Sequence, residues 1–144
     1  HIDGRGDKDT NCVLANCANI AGHVTIEDWV IIEGVVAVQQ FVRIGQHAFV
    51  AGGSLVRKNI PPFVKVAREP LSYIGVNAIG LRRRGFADEF VRAVEDIYRT
   101  LYVTGGNMSQ AIKVAEMELP ISDAKETILD FIRASDKGIV RGPF

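Results

Sequence analysis

Three imidazoles, at His1, His23 and His47, and a run of three guanidiniums, Arg82, Arg83 and Arg84, are the side chains best equipped for chemistry in this sequence. An imidazole exchanges a proton near neutral pH or ligates a metal, and a zinc site would need three of them converging on one ion. Guanidinium forks suit phosphates and carboxylates. The arginines close a basic stretch: residues 41–84 hold eight basic and one acidic side chain, against two and six in 1–40 and seven and ten in 85–144. Although the net charge is zero, that band can attract phosphates or an acidic protein. It lacks the interleaved aromatics of a base-stacking surface, which argues against a nucleic-acid partner. Cys12 and Cys17 do not form a CxxC pair. They read as small core or edge residues of a reduced, cytoplasmic protein.

The elements that must position these groups follow from a repeat. In VTIEDWVIIEGVVAV, residues 24–38, a branched aliphatic returns on every sixth residue. The beat runs through Leu14, Ile20, Ile26, Ile32, Val38, Ile44, Val50 and Val56. Two residues before each beat stands a small or β-branched residue: Cys12, Ala18, Val24, Val30, Val36, Val42, Ala48 and Ser54. A period of six suits a short flat strand and a turn, three of which make one triangular coil. The aliphatic points into the prism and successive coils pair as parallel strands. The fold predicted is therefore an all-β, left-handed parallel β-helix of hexapeptide repeats over 1–62, an exception to the usual right-handed crossover. Fewer than three coils leave two open ends, so further coils before His1 and a partner along the faces are expected.

Pro61-Pro62 is expected to stop the pairing, since proline gives no amide to a ladder. An extended arm over 63–76 then leads to a small α-helical C-terminal domain over 77–144. Phe90, Val91, Val94, Ile97, Tyr98, Leu101 and Tyr102 share one face of a helix near 87–103, ended by Gly105-Gly106. Asn107 with Gln110, and Asp123 with Glu126, read as capping boxes opening two more helices. Their apolar positions include Ile112, Ala115 and Leu119, then Ile128, Leu129, Phe131 and Ile132. The tail GIVRGPF reads as loose. No apolar run reaches the ~20 residues of a membrane span and no signal peptide is visible, so no stable membrane insertion is expected.

The beat alone fits a superfamily of acyl- and acetyltransferases, sugar-nucleotide enzymes and γ-type carbonic anhydrases. IAGHVTIED at 20–28, GVVAVQQFVRIGQHAFVAGGSLV at 34–56, IPPFV at 60–64 and GVNAIGLRRRGF at 75–86 narrow it. Together they resemble the bacterial UDP-N-acetylglucosamine O-acyltransferases that open lipid A synthesis, from about Cys12 to Arg133. GLRRRGF is the most specific element. The resemblance implies transfer of an (R)-3-hydroxyacyl group from acyl carrier protein to the 3-hydroxyl of UDP-N-acetylglucosamine. It implies a cytoplasmic homotrimer with sites between neighbouring β-helices, no cofactor and no metal. Acyl transfer needs a base for the sugar hydroxyl and donors for the tetrahedral oxyanion. By resemblance the Gly22 amide is that donor and His1 and His23 contact substrate, although the beat alone makes His23 a hydrogen-bonding corner residue. Gln40 matches a sugar contact, and its neighbour Gln39 stands where many relatives have histidine. Gly52 matches the position that limits acyl length, glycine leaving room for a long chain. Asn77 matches a nucleotide-binding asparagine, with Ile79 where relatives often carry glutamate. Arg83 and Arg84 match arginines that meet nucleotide phosphate or carrier protein.

The opening HIDGRGDKDT departs from that pattern. The family reads H-I-A-H-D here, its second histidine being the general base; Gly4 holds that position and Arg5 the aspartate's. Lys8 stands where the beat requires an aliphatic. Fold signal and chemistry fail together, which loss of the base alone would not require. The expectation is an O-acyltransferase scaffold that is nearly inactive as written. Two other readings stand beside it: a non-catalytic trimeric module that binds carrier protein or nucleotide, and a zinc enzyme of the γ-carbonic-anhydrase kind. Against the zinc enzyme, His23 and His47 are 24 residues apart, one 18-residue coil plus one face, and so fall on different corners.

Overall fold

The structure, a computed structural model, describes residues 12–15, 18–104 and 106–143. Each hexad makes a two-residue strand: β1 (Val13–Leu14), β2 (Asn19–Ile20), β3 (Thr25–Ile26), β4 (Ile31–Ile32), β5 (Ala37–Val38), β6 (Arg43–Ile44), β7 (Phe49–Val50) and β8 (Leu55–Val56). Every pairing among them is parallel and joins a residue to the one 18 positions on, as in Leu14 with Ile32 and Ile32 with Val50. The walls are β1-β4-β7, β2-β5-β8 and β3-β6. Amides of one coil donate to carbonyls of the next, for example Ile31 N to Ala48 O at 3.0 Å. Ile26, Ile32, Ile44, Val50 and Val56 are buried on the axis, and Val24, Val30, Val36, Val42, Ala48 and Ser54 fill the second column. Cys12 is buried too, its Sγ donating to Glu27 O at 3.1 Å.

Closing a triangle with such short sides requires a sharp turn at each corner, and the chain turns through left-handed backbone. His23, Trp29, Val35, Phe41, His47 and Gly53 have φ between 58° and 79° at six-residue intervals. One of the six is glycine; the others hold a conformation that L-residues disfavour by roughly 1–2 kcal/mol. The hydrogen-bonded coils on either side impose it.

Pairing does not stop at Pro61-Pro62, contrary to expectation. Ile60 bridges Ile44 in parallel, and a strand β9 (Val64–Ala67) lies on β7 with Phe49 opposite Lys65. The step has shortened from 18 to 16 residues. The prolines sit on the corner, where ladder amides are dispensable, and Gly45 makes room: a Cβ there would come within 2.5 Å of Pro62 N. The supposed arm is a hairpin, since β10 (Ser72–Val76) returns antiparallel along β9.

Four helices follow: α1 (Ala78–Arg83), α2 (Asp88–Arg99) with a π-helical continuation over Thr100–Thr104, α3 (Met108–Glu118) and α4 (Asp123–Arg133). Helix α2 buries Val91, Val94, Ile97 and Tyr98, whose hydroxyl donates to Pro62 O at 2.5 Å and ties the helix to the prism. Asn107 caps α3, its side chain accepting from Gln110 N at 2.9 Å. The cap of α4 is Ser122 rather than Asp123; its extended backbone lets the hydroxyl accept from Lys125 N at 3.1 Å. Ala115 and the residues Ile128, Leu129, Phe131 and Ile132 are buried as the spacing requires.

The tail corrects a further expectation. Gly138 O and Val140 N bond Asn59, Arg141 O accepts from Tyr73 N at 2.8 Å, and Val140 O accepts from Tyr102 Oη at 2.8 Å. Val140 is buried. Residues 138–141 are therefore strapped across the prism and β10.

Val35 is 71% exposed at φ 58°, a β-branched residue in left-handed backbone. Val35→Asn should raise the urea midpoint, by about 0.5–1 kcal/mol of stability, because asparagine tolerates that conformation. Ile32→Ala on the axis should cost about 2–5 kcal/mol in the same measurement.

Candidate functional site

The chemically capable residues sit at the prism's corners, because strand side chains are either packed on the axis or spread over the walls. Residues one coil apart stack. Gly22 and Gln40 share a first corner, 18 residues apart, and so do His23 and Phe41. His23 is exposed and its ring lies on the Phe41 ring at 5.5 Å. Nothing stands within 4 Å of where a Gly22 Cβ would be, and the Gly22 amide donates to no group among the described residues. Among the described residues this corner therefore presents an unpaired backbone donor beside an exposed histidine. The Gln40 side chain is exposed, while its backbone oxygen accepts from Lys137 Nζ at 2.8 Å.

A second corner carries an aromatic column that sequence reasoning did not assemble. Trp29 stacks on His47 at 6.2 Å, His47 on Phe63 at 5.9 Å, and Phe86 meets the His47 ring edge-on at 5.0 Å. His47 is 4% exposed. The 18-residue spacing of Trp29 and His47, one coil, was the available signal. Arg84 reaches this column from the end of α1: its Nη1 is 3.0 Å from His47 Nδ1, and its guanidinium carbon lies 5.6 Å from the Trp29 ring centre. Burial pushes the His47 pKa down to about 4, helped by the Arg84 charge and opposed by Asp28. Burial also lowers the Arg84 pKa.

Asn77 lies beneath, buried, as the cap of α1. Its Nδ2 donates to His47 O at 3.0 Å and its Oδ1 accepts from Gly80 N at 3.3 Å, so both ends of the amide are committed within the fold. That short helix was not foreseen, and it is what carries the arginines. Arg83 is exposed at its end, whereas Arg82 pairs with Asp88 at 3.2 Å.

The third corner holds Gly52, exposed, its amide donating to Glu33 Oε1 at 3.0 Å. A Cβ on Gly52 would sit 3.2 Å from Gly34 O. His1 and Gly4 lie outside the described residues. Among the described residues no three His, Cys, Asp or Glu side chains are grouped to hold a metal, and His23 and His47 do stand on different corners. No described helix is long and apolar enough to cross a membrane. A cavity of about 510 Å³ beside α3 and the tail is lined by Tyr102, Met108, Ile112, Ile132 and Val140 among others, and by none of the corner residues.

Residues 59–140 match the sequence family described as UDP-N-acetylglucosamine O-acyltransferase, domain 2. An acyl-acyl-carrier-protein–UDP-N-acetylglucosamine O-acyltransferase of Stenotrophomonas maltophilia is 40% identical over 131 residues, covering 90% of this chain and 50% of that protein. Its counterpart in Burkholderia lata is 42% identical over 146 residues, covering 98% and 55%. Among solved structures, a UDP-N-acetylglucosamine acyltransferase from Bacteroides fragilis superposes with a TM-score of 0.88 at 42% identity, over 91% of this chain and 51% of that one. The chain spans about half the length of the curated relatives it matches.

His47 gives the fold a pH signature. Its folded pKa is depressed from 6.5 to about 4, so between those values the unfolded chain binds a proton that the folded chain refuses. Stability from this group is complete above pH 6.5 and is lost as pH falls towards 4. Urea midpoints at pH 7 and pH 5 should differ less in His47→Asn than in the parent.

Proposed function

This chain belongs to the UDP-N-acetylglucosamine O-acyltransferase family, and we propose that it forms the part of such an enzyme that moves a 3-hydroxyacyl group from acyl carrier protein to the sugar 3-hydroxyl, the opening step of lipid A synthesis. The observation that carries this reading is the pairing, on one corner, of a Gly22 amide without a partner among the described residues with the exposed His23 and Gln40. In the reaction the sugar hydroxyl oxygen attacks the thioester carbonyl and loses its proton to a base. The carbonyl oxygen becomes an oxyanion, and collapse expels the carrier's thiolate, which takes up a proton. Gly22 N–H serves the oxyanion, a donor type whose loss typically costs 10²–10³-fold in rate, roughly 3–4 kcal/mol. His23 and Gln40 orient the sugar, with His1 completing that set. Arg83 and Arg84 receive the diphosphate or the acidic carrier.

Inside one prism the three corners point apart, so Gly22, Arg84 and Gly52 cannot face a common substrate. A substrate that meets all three lies in the groove between neighbouring copies. That supports a homotrimer of left-handed β-helices, each with its helical segment 77–144 as a C-terminal domain, working in the cytoplasm. Gly52 then opens the acyl groove to a long chain. Asn77 acts through the fold, holding α1 against His47.

Gly4 stands where relatives carry the base, so this chain should turn over slowly. With 3-hydroxyacyl carrier protein and UDP-N-acetylglucosamine as substrates, Gly4→His should raise the rate about 10²–10⁴-fold. Equal and high turnover in both proteins would refute the missing base. Absence of turnover in both, with UDP-N-acetylglucosamine still bound in a titration, would favour a binding module instead.

A further inference from the structure

Most of the arginines whose contacts are described lean on a carboxylate. Arg43 pairs with Glu27, Arg57 with Glu69, Arg82 with Asp88, Arg99 with Asp96, and Arg133 with Glu116 and Asp130. Arg84 differs. Among the described residues its guanidinium has no carboxylate partner, and what fixes it is an imidazole nitrogen and an indole face. A guanidinium can only donate, so His47 Nδ1 must carry a lone pair and the proton of that ring must sit on Nε2. The ring itself has little freedom. It is stacked between Trp29 and Phe63, edged by Phe86, and its backbone is pinned by His47 N to Asp28 O at 3.0 Å and by Asn77 at His47 O.

An acceptor without charge orients a cation and leaves its charge unspent; a carboxylate would orient it and neutralise it. Resting on the reading of Arg84 as a phosphate-binding group, we propose that His47 is a positioning residue for nucleotide recognition, its Nδ1 accepting from Arg84 and holding the guanidinium ready for the diphosphate. His47 does not touch the substrate. Its contribution passes through Arg84 alone, which separates it from a residue that merely fills the corner.

The test uses the full-length protein and UDP as the probe, by titration calorimetry, with nitrogen NMR of the imidazoles. In the parent, His47 Nδ1 should show the signal of an unprotonated nitrogen at pH 7; a protonated Nδ1 overturns the proposal before any substitution is made. His47→Phe keeps the stack and removes the acceptor, and should weaken UDP binding about 3–10-fold, the scale of one hydrogen bond. His47→Asn restores an acceptor near Nδ1 and suits left-handed backbone, so it should return to within about twofold of the parent. Added to Arg84→Met, His47→Phe should have no further effect, as expected of coupled residues. Unchanged affinity in His47→Phe, failure of His47→Asn to recover it, or additive losses would each overturn the role of His47. Those results differ from unchanged affinity in Arg84→Met, which would remove the Arg84 reading and this proposal with it.

Discussion

The prism depends on the register between its coils. From β1 to β8, parallel pairing joins residue n to residue n + 18 and satisfies the backbone amides of each wall, and the last coil keeps the ladder with a step of 16. That requirement is stronger than local preference. It drives Trp29, Val35 and Phe41 into left-handed backbone, where none would go alone, because abandoning the register would leave buried amides and carbonyls without partners on both neighbouring coils. The inward aliphatics then add burial to a geometry that hydrogen bonding has already closed.

A second consequence concerns where function can reside. Wall residues are consumed by pairing and packing, while corners turn their side chains away from the axis and stack residues one coil apart. Corner chemistry therefore comes in columns. His23 acquires Phe41 as a floor, and His47 acquires both a floor and a ceiling in Trp29 and Phe63. The same histidine type thus yields two opposite groups. One is solvent-facing; the other is a buried acceptor that stays neutral because desolvation and the Arg84 charge both oppose its protonation. Corner identity, set by counting in sixes, decides which.

That counting is also what made the fold legible. Two columns with matched size rules leave little freedom, and Ile26, Ile32, Ile44 and Val50 are on the axis where the beat puts them. Helical faces were readable for the same reason, through a different period. What escaped was settled by partners distant in sequence. The tail looked loose because its hydrogen-bonding partners, Asn59 and Tyr73, lie far back in the chain. Pro61-Pro62 looked terminal because proline's missing amide was judged against a ladder, when the residues occupy a corner above Gly45. Helix α1 is six residues long, too short to show a period, and Asn77 gave no sign that its amide would be spent on His47. In the candidate site, Gly22 and Gln40 could be placed on one column by arithmetic alone. The His47–Arg84 contact could not, since it joins a coil corner to the end of a helix that no pattern announced.

Geometry also limits how the site can be completed. The corners of a triangular prism point apart, so the Gly22 amide, the cation at Arg84 and the exposed Gly52 belong to three separate outward surfaces of one copy. Under the proposed function, a ligand that meets all three would have to lie between copies. The basic stretch from Arg43 to Arg84 fits that arrangement. Its one described cation held solely by uncharged and aromatic groups is Arg84, whose charge no described carboxylate offsets.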